Sequence, residues 1–290
     1  MRSVLLLGPV AALISSVALA APLKLVAPTW PPYAGPTGED RVAVELVETA
    51  LKRAGIEATV VVRSEASVID RVASGEYAGS VAVWKDAARA EVLAFSAPYL
   101  ENRLVLLGRS GAEVDRALSA LKGKKIGLVT GYAYGDTVTE VAGPTFVRHA
   151  DAAANLRALL EGEIDYMLAD ALLVHHLFQA QPERARELLA VGEKTVATRT
   201  LHLALRKDVP EARALLARFD VAVETMVKEG TFNRVLGVDW VRADVDGDGR
   251  AELVAGERAG EAAPARSYDI FTSRGLPGDD RAYVIDGVTY

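Results

Sequence analysis

The stretch that decides the fold is VAVWKDAARAEVLAFSAPY, residues Val81 to Tyr99. It begins with four apolar residues that predict a buried strand, continues as a charged, alanine-rich turn of helix, and returns to an apolar segment closed by Pro98. Arg89 follows the strand end, and open α/β sheets bind ligands at the carboxyl ends of their strands. Its planar guanidinium suits a carboxylate. On this stretch alone, the more ordinary interpretation of Arg89 is a solvated charge on a helix.

Around this stretch, apolar runs alternate between the period of a strand and that of a helix. Leu23–Ala27 predicts a strand, Val42–Ala54 an amphipathic helix ended by Gly55, and Ala58–Val62 a second strand. Further strands are predicted at Arg103–Leu107, Ile126–Val129, Phe146–Val147, Ile164–Ala169 and Thr200–Leu205, and further helices at Ser67–Ser74, after Asp151, at Ala171–Gln179, at Val209–Val227 and before Trp240. This order predicts βαβ units with a largely parallel sheet, which is an α/β fold.

Length and composition limit the functions that this chain can have. At 290 residues the chain exceeds what one hydrophobic core usually supports, so two or more units are expected. Its formal net charge of −6, without a basic block, argues against nucleic acid or an anionic membrane surface as a partner. The absence of cysteine excludes disulfides, thiol catalysis and cysteine-ligated zinc.

The N-terminus predicts export. Arg2 supplies a positive start, Val4–Val17 is a short apolar core, and Ala18-Leu19-Ala20 has the small-x-small pattern of a cleavage site. We therefore expect residues 1–20 to be a cleaved secretory signal, with an uncleaved anchor as the alternative. The mature chain is expected to be soluble and periplasmic.

Three places carry candidate ligand contacts. Trp30 and Tyr33 stand on a proline-rich loop just past the first strand, where rings could wall a ligand or simply pack. A glycine-flanked turn containing Gly131, Tyr132 and Tyr134 follows a buried strand, and its backbone N–H groups would suit a carboxylate or phosphate.

Asp170 is the third place. It ends a predicted strand on the side that faces ligand in such sheets. The alternative is that it caps the helix that follows, and one carboxylate can serve both purposes.

In order and spacing, these segments resemble the extracytoplasmic solute-binding proteins of family 3, whose best-known members bind polar amino acids for ABC importers. The resemblance covers about Leu23 to Trp240. It rests on four places: Pro31-Pro32-Tyr33; Arg89 before Phe95-Ser96-Ala97-Pro98-Tyr99; Leu121-Lys122-Gly123-Lys124-Lys125-Ile126-Gly127 followed by Gly131; and Gly162-Glu163-Ile164-Asp165 followed by Asp170.

The resemblance implies a two-lobed periplasmic-binding-protein fold of type II, a Venus flytrap that closes on its ligand. Lobe one would comprise residues 21–108 and 201–240, lobe two residues 109–200, and residues 241–290 would form a β-rich extension. The chain would cross between lobes near Leu106 and Thr198. The expected protein is a monomer whose partner is a membrane ABC permease or a sensor.

The resemblance also implies roles for single residues. Arg89 matches the residue that pairs with a ligand carboxylate, Asp170 the one that takes the α-ammonium, and Tyr33 the aromatic that covers the ligand. The backbone after Gly131 matches a second carboxylate contact. Trp84 stands where such proteins usually have a small hydroxyl residue. With Trp30, Tyr132 and Tyr134, it favours a flatter, aromatic or cationic ligand.

Past Trp240 the sequence changes character. Acidic residues alternate before a glycine, as in loops that wrap Ca²⁺, and the pattern resembles the calcium loops of FG-GAP-type repeats. The expected ligands are the side chains of Asp244, Asp246, Asp248 and Glu252 and the carbonyl of Arg250. The alternative is an Asp/Gly turn without metal. Short strands are predicted at Tyr268–Thr272 and Arg281–Ile285.

Three functions compete on this sequence. The first is a binding protein without catalysis that captures a small polar, amino-acid-like or aromatic or cationic ligand for ABC-type import. The second is a sensor or adhesion module with a calcium-structured tail. The third is a dehydratase-like enzyme on the same fold. We expect the first, because no catalytic constellation is evident in the sequence.

Overall fold

The computed structural model describes residues 21–38, 41–63, 68–180, 182–237, 240–243, 252–256, 284–285 and 288–289. The predicted signal, residues 1–20, lies outside these ranges, as do most of the predicted calcium loop and the predicted strand Tyr268–Thr272.

Strands and helices largely alternate through the described residues between 21 and 237. The strands are β1 Leu23–Pro28, β2 Ala58–Arg63, β3 Gly79–Trp84, β4 Leu93–Phe95, β5 Leu100–Arg109, β6 Lys125–Val129, β7 Thr145–His149, β8 Tyr166–Asp170, β9 Leu189–Val191, β10 Ala197–Arg206, β11 Trp240–Ala243, β12 Glu252–Ala255, β13 Val284–Ile285 and β14 Val288–Thr289. The helices are α1 Val42–Arg53, α2 Val68–Ala73, α3 Ala87–Val92, α4 Asp136–Thr139, α5 Ala152–Glu161, α6 Ala171–Ala180, α7 Pro182–Leu188, α8 Ala212–Lys228 and α9 Thr231–Leu236, with a 3₁₀ turn at Leu118–Ala120. None of the described helices combines the length and apolar content that a membrane span needs.

Ten of the described strands form one sheet with the order β2-β1-β3-β10-β5-β8-β6-β7, to which β4 and β9 are added at the side. The group β2-β1-β3 is parallel, and so is the group β8-β6-β7. Between them lie β10 and β5, which are antiparallel to each other and to the strand beside them. The sheet therefore consists of two parallel α/β halves joined by two strands, and the predicted α/β fold is confirmed.

The joining strands pair residue for residue over Leu100–Leu104 and Ala197–Leu201. Almost all of β5 is buried, including its polar residues Glu101, Asn102 and Arg103. The chain enters the second half along β5 and returns along β10. After that return, α8 packs on α1 of the first half, where Leu216, Phe219, Val223 and Met226 lie on the buried side of α8.

Local sequence signals explain several element boundaries. Asp86 accepts a hydrogen bond from Arg89 N at 2.7 Å and begins α3, and Asp151 accepts one from Ala154 N at 2.7 Å and begins α5. Gly55 and Gly162 follow α1 and α5 with φ of 65° and 81°, the left-handed conformation that ends helices at little cost for glycine.

Two of the boundaries that differ from the sequence-based prediction have a local cause. Helix α8 begins at Ala212, not Val209, because Pro210 disfavours the helical conformation of the residue before it. Helix α9 ends at Leu236, where Gly237 adopts φ 71°, and Trp240 begins a strand that pairs with Ala255.

Strands β3 and β10 approach each other closely at Gly79, and this predicts opposite effects for two neighbouring alanine substitutions. A Cβ at Gly79 would lie 2.0 Å from Ala204 O, so Gly79→Ala should lower the free energy of unfolding by about 1–3 kcal/mol through overpacking. The adjacent Ser80 Oγ is buried, with no hydrogen-bond partner among the described residues.

The matched control, Ser80→Ala, should therefore leave stability unchanged or raise it. Denaturant unfolding of both variants measures this difference. Equal decreases in the free energy of unfolding for the two variants would contradict the close approach of the strands.

Candidate functional site

Arg89 lies where the two halves of the sheet meet. Asp86 caps helix α3 shortly after the end of β3, and Arg89 lies in that short helix with its guanidinium against the backbone. Nη1 donates to Trp84 O at 2.6 Å, and Nη2 donates to Gly131 O of the other half at 2.6 Å. Nε lies 3.7 Å from Asp86 Oδ2, and the side chain is 13% exposed. Arg89 is therefore a fixed cation between the halves, and the solvated-charge interpretation is wrong.

Burial lowers the pKa of Arg89, while Asp86 opposes that shift and Arg199 adds to it. The lowered pKa does not discharge the group, because a guanidinium stays protonated in proteins. Arg199 lies on β10 opposite Asn102 and donates from Nε and Nη2 to Ala133 O at 2.8 and 2.5 Å. Two guanidinium groups thus hold alternate carbonyls of the turn that follows β6.

Asp170 ends β8 and serves the cap of α6, as the structural alternative predicted. Its Oδ1 accepts from Leu172 N at 2.9 Å and from Leu173 N at 3.1 Å. Oδ1 also accepts from the Tyr33 hydroxyl at 2.5 Å, and Oδ2 accepts from Asn102 Nδ2 at 3.0 Å. The contact from Tyr33 connects the two halves directly.

The carboxyl of Asp170 is only 3% exposed. Burial raises the pKa of Asp170 to about 6, and the hydrogen bonds from Tyr33, the backbone and Asn102 limit the rise.

Five aromatic side chains from both halves meet between Arg89 and Asp170. Trp30, Trp84 and Tyr132 form a triangle of edge-to-face contacts, with ring centroids 5.1 to 5.6 Å apart. Tyr33 lies 4.6 Å from Trp30, and Tyr134 lies 5.6 Å from Trp84. The two tyrosines from the second half thus close against the tryptophans from the first.

The polar ends of Trp84 and Tyr134 have hydrogen-bond partners. Trp84 Nε1 donates to Asn102 Oδ1 at 2.7 Å, and the Tyr134 hydroxyl accepts from Val129 N at 3.0 Å. Burial raises the pKa of Tyr134 to about 12 and that of Tyr132 further. Both phenols are therefore neutral at physiological pH.

A cavity of about 50 Å³ lies beside Arg89. Its described lining is mostly apolar and consists of Pro28, Trp30, Val68, Ile69, Ala82, Val83, Trp84, Arg89, Gly131 and Tyr132. This volume is far below the roughly 300–1,000 Å³ of pockets for drug-sized ligands. The arrangement therefore corresponds to a closed cleft.

The glycine-flanked turn after β6 leads into helix α4, which begins at Asp136 after Gly135. Gly131 turns its carbonyl, not its N–H, toward Arg89. The turn still lies at the cleft, with Tyr132 lining the cavity and Tyr134 behind it.

The structure thus brings together all eight predicted ligand residues: Trp30, Tyr33, Trp84, Arg89, Gly131, Tyr132, Tyr134 and Asp170. Sequence reasoning missed Asn102, Arg199 and the floor formed by Val68 and Ile69. The one available signal was the polar pair Asn102-Arg103 inside an apolar run, and the predicted strand began too late to include Asn102.

The predicted calcium ligands Asp244, Asp246, Asp248 and Arg250 lie outside the described residues. Glu252 begins β12, where it pairs with Ala243. Within the part of the chain that the structure describes, no three His, Cys, Asp or Glu residues are grouped to hold a metal ion.

The fold and the cleft define a two-lobed solute-binding protein of the type II periplasmic class. The family model of the bacterial extracellular solute-binding proteins, family 3, matches residues 25–240, and the chain belongs to this family. It is 23% identical over 150 residues to a probable histidine-binding protein of Neisseria gonorrhoeae. That match covers 51% of this chain and 54% of the relative, so it spans about half the length of each.

Solved structures agree on the fold. The chain resembles the arginine-, lysine-, histidine-binding protein ArtJ of Geobacillus stearothermophilus at TM-score 0.62 and 18% identity, over 74% of this chain and 93% of that one. It resembles the GluR0 ligand-binding core of Nostoc punctiforme in complex with L-glutamate at TM-score 0.61 and 17% identity, over 74% of this chain and 97% of that one. It also resembles a histidine kinase sensor domain with similarity to periplasmic binding proteins, at TM-score 0.64 and 18% identity. This match covers 75% of this chain and 95% of that one.

The hydrogen bond between the halves predicts a pKa change on removal of one hydroxyl. The Tyr33 hydroxyl stabilises the ionised form of Asp170, so Tyr33→Phe should move the pKa of Asp170 upward from about 6. Carbon-13 NMR titration of the aspartate carboxyls measures this pKa.

Tyr77→Phe is the matched control, because Tyr77 is equally buried and its hydroxyl accepts from Arg63 within the first half. It should leave the pKa of Asp170 in place. A pKa that stays or falls in the Tyr33 variant would contradict the contact.

Proposed function

We propose that this chain is an exported solute-binding protein that holds a small carboxylate-bearing ligand between its lobes for an ABC-type importer. One observation carries the proposal: Arg89 is held by Trp84 O at one end of a cavity and reaches Gly131 O of the opposite lobe. A guanidinium in that place can give two parallel hydrogen bonds to a carboxylate.

The relatives support the carboxylate part of the proposal. The names of these proteins and of their bound ligand mention histidine, arginine, lysine and glutamate, which share an α-carboxylate. We propose the lobe assignment 21–108 plus 201–240 against 109–200, with residues 241–290 as an extension. The pairing of β5 with β10 and the packing of α8 on α1 are consistent with it.

Capture would follow from closure of the lobes. Among the described residues, Tyr33 donates to Asp170 and Arg89 to Gly131 across the cleft, beside the ring contacts of Tyr132, and Asn102 of the joining strand β5 also donates to Asp170. A hydrogen bond to a charged group is worth roughly 1.5–3 kcal/mol net, so opening of the cleft costs far less than unfolding of either lobe. A ligand that contacts Arg89 and the rings of both lobes binds the closed state better than the open one, and it therefore shifts the population toward closure.

A sensor role is the second candidate, because the fold is also that of the histidine kinase sensor domain. The two roles differ in partner and not in the cleft. Chemical cross-linking of the chain in its native membrane fraction distinguishes a permease from a sensor. The family and the structural neighbours are binding proteins, so we propose no enzymatic activity.

Arg89→Ala tests the carboxylate contact. L-Histidine, L-arginine, L-glutamate, L-valine and 3-methylbutanoate are titrated separately into ligand-stripped protein by calorimetry. Any acid that binds the wild type should lose at least about 30-fold in affinity, because a buried charge pair loses one partner. Arg89→Lys keeps the positive charge but not the paired N–H donors of the guanidinium, so it should lose less affinity.

Arg116→Ala is the control, since Arg116 is exposed and paired only with Glu113 in the described residues. Circular dichroism verifies that each variant is folded. Unchanged affinity in folded Arg89→Ala would refute the assigned contact, and no binding of any acid to the wild type would refute the proposed function.

We also propose that the extension binds Ca²⁺ through Asp244, Asp246, Asp248, the carbonyl of Arg250 and Glu252. Three carboxylates at alternate positions repel one another without a cation. Calorimetry of chelator-treated protein should give a dissociation constant of about 10⁻⁴–10⁻³ M, as in extracellular calcium modules.

Asp246→Asn should abolish this binding, and Asp279→Asn, in the same extension but outside the loop, should retain it. Absence of calcium binding by the wild type would leave the loop as a metal-free Asp/Gly turn.

A further inference from the structure

The chain's own donors surround the carboxyl of Asp170. Oδ1 accepts from the Tyr33 hydroxyl and from the backbone N–H groups of Leu172 and Leu173, and Oδ2 accepts from Asn102 Nδ2. Oδ1 therefore has more donors than its two lone-pair sites, while Oδ2 keeps one site. The residue is only 3% exposed, so a ligand ammonium could reach that site only by displacing the side chains that cover it.

The cavity beside Arg89 has the opposite character. Among the described residues that line it, Arg89 is the only charged one, and Asp170 is not among them. The other lining side chains are apolar or aromatic. An ammonium in this chamber would lose its water, gain no counter-charge from the described lining and stand near a guanidinium, which is a costly combination.

We propose that the cleft selects a small monocarboxylic acid with an apolar body and does not recognise an α-ammonium. This inference rests on the proposed contact between Arg89 and a carboxylate. Arg89 would bind the carboxylate, and the body would lie against Trp30, Trp84 and Tyr132, above Val68 and Ile69. The implied pairing of Asp170 with an ammonium is replaced by internal hydrogen bonds from Tyr33 and Asn102.

A cationic ligand in the aromatic triangle is disfavoured for the same reason. Rings attract cations through their faces, but Trp30, Trp84 and Tyr132 meet one another edge to face. Arg89, which shares the lining, would repel the cation.

The test compares acids that differ only in the ammonium group. L-Valine and 3-methylbutanoate form one pair, and L-phenylalanine and 3-phenylpropanoate form a second, while choline serves as the cation probe. Calorimetry on ligand-stripped, full-length protein should give at least about tenfold tighter binding of the deamino acid in at least one pair, and no choline binding.

Each outcome separates the inference from the proposed function. If the amino acids bind tighter and lose affinity in Arg89→Ala, the inference fails while the carboxylate site stands. Choline binding also overturns the inference. If none of these acids, nor histidine, arginine or glutamate, binds the wild type, the proposed function fails and the inference with it.

A variant of its donor Tyr33 probes Asp170. Tyr33→Phe removes the side-chain donor from Oδ1 of Asp170 and should narrow the preference for the deamino acid, whereas Tyr77→Phe should leave this preference unchanged. Retained preference in Tyr33→Phe would contradict the role of the internal hydrogen bonds.

Discussion

The buried carboxylate of Asp170 fixes the geometry of the cleft. It caps α6, receives the hydroxyl of Tyr33 from the other lobe, and orients Asn102, which in turn accepts from Trp84 Nε1. A series of hydrogen bonds therefore runs from the first lobe through the second and into the joining strand β5. Each donor left without its acceptor in this buried place would cost about 1–3 kcal/mol, so the parts of the series depend on one another.

The same contacts explain how a closed cleft can still be a binding site. Across the cleft the described lobes meet through the hydrogen bonds of Tyr33 and Arg89 and a set of aromatic edges, whereas each lobe has its own group of parallel strands. These few contacts make closure weak compared with folding. The cleft is asymmetric in charge, because the cation Arg89 lines the cavity while Asp170 is enclosed by donors.

Local signals in the sequence account for much of this fold. A few neighbouring residues are enough to predict the strand ending at Trp84, the helix caps Asp86 and Asp151, and the glycines that end α1 and α5. Position at the end of a strand was enough to select Arg89 and Asp170 as candidates, because the carboxyl ends of parallel strands face the ligand.

The hydrogen-bond partners of Arg89 and Asp170 depend on contacts between residues far apart in the sequence, which no local pattern contains. Tyr33 and Asp170 are 137 residues apart, and the pairing of Asn102 with Arg199 depends on the register of β5 against β10. Sequence analysis therefore placed Asp170 at the cleft, but it could not show that four internal donors surround it. For the same reason it could not foresee that Arg89 would contact carbonyls of both lobes.

The most direct measurement is the pKa of Asp170, followed by the carbon-13 resonance of its carboxyl, before and after saturation with whichever acid binds. If the chain's own donors satisfy Asp170, ligand binding leaves this pKa at or above about 6, because the ligand brings no positive charge to it. A pKa that falls toward 4 or below on binding would show an ammonium against Asp170 and contradict the account.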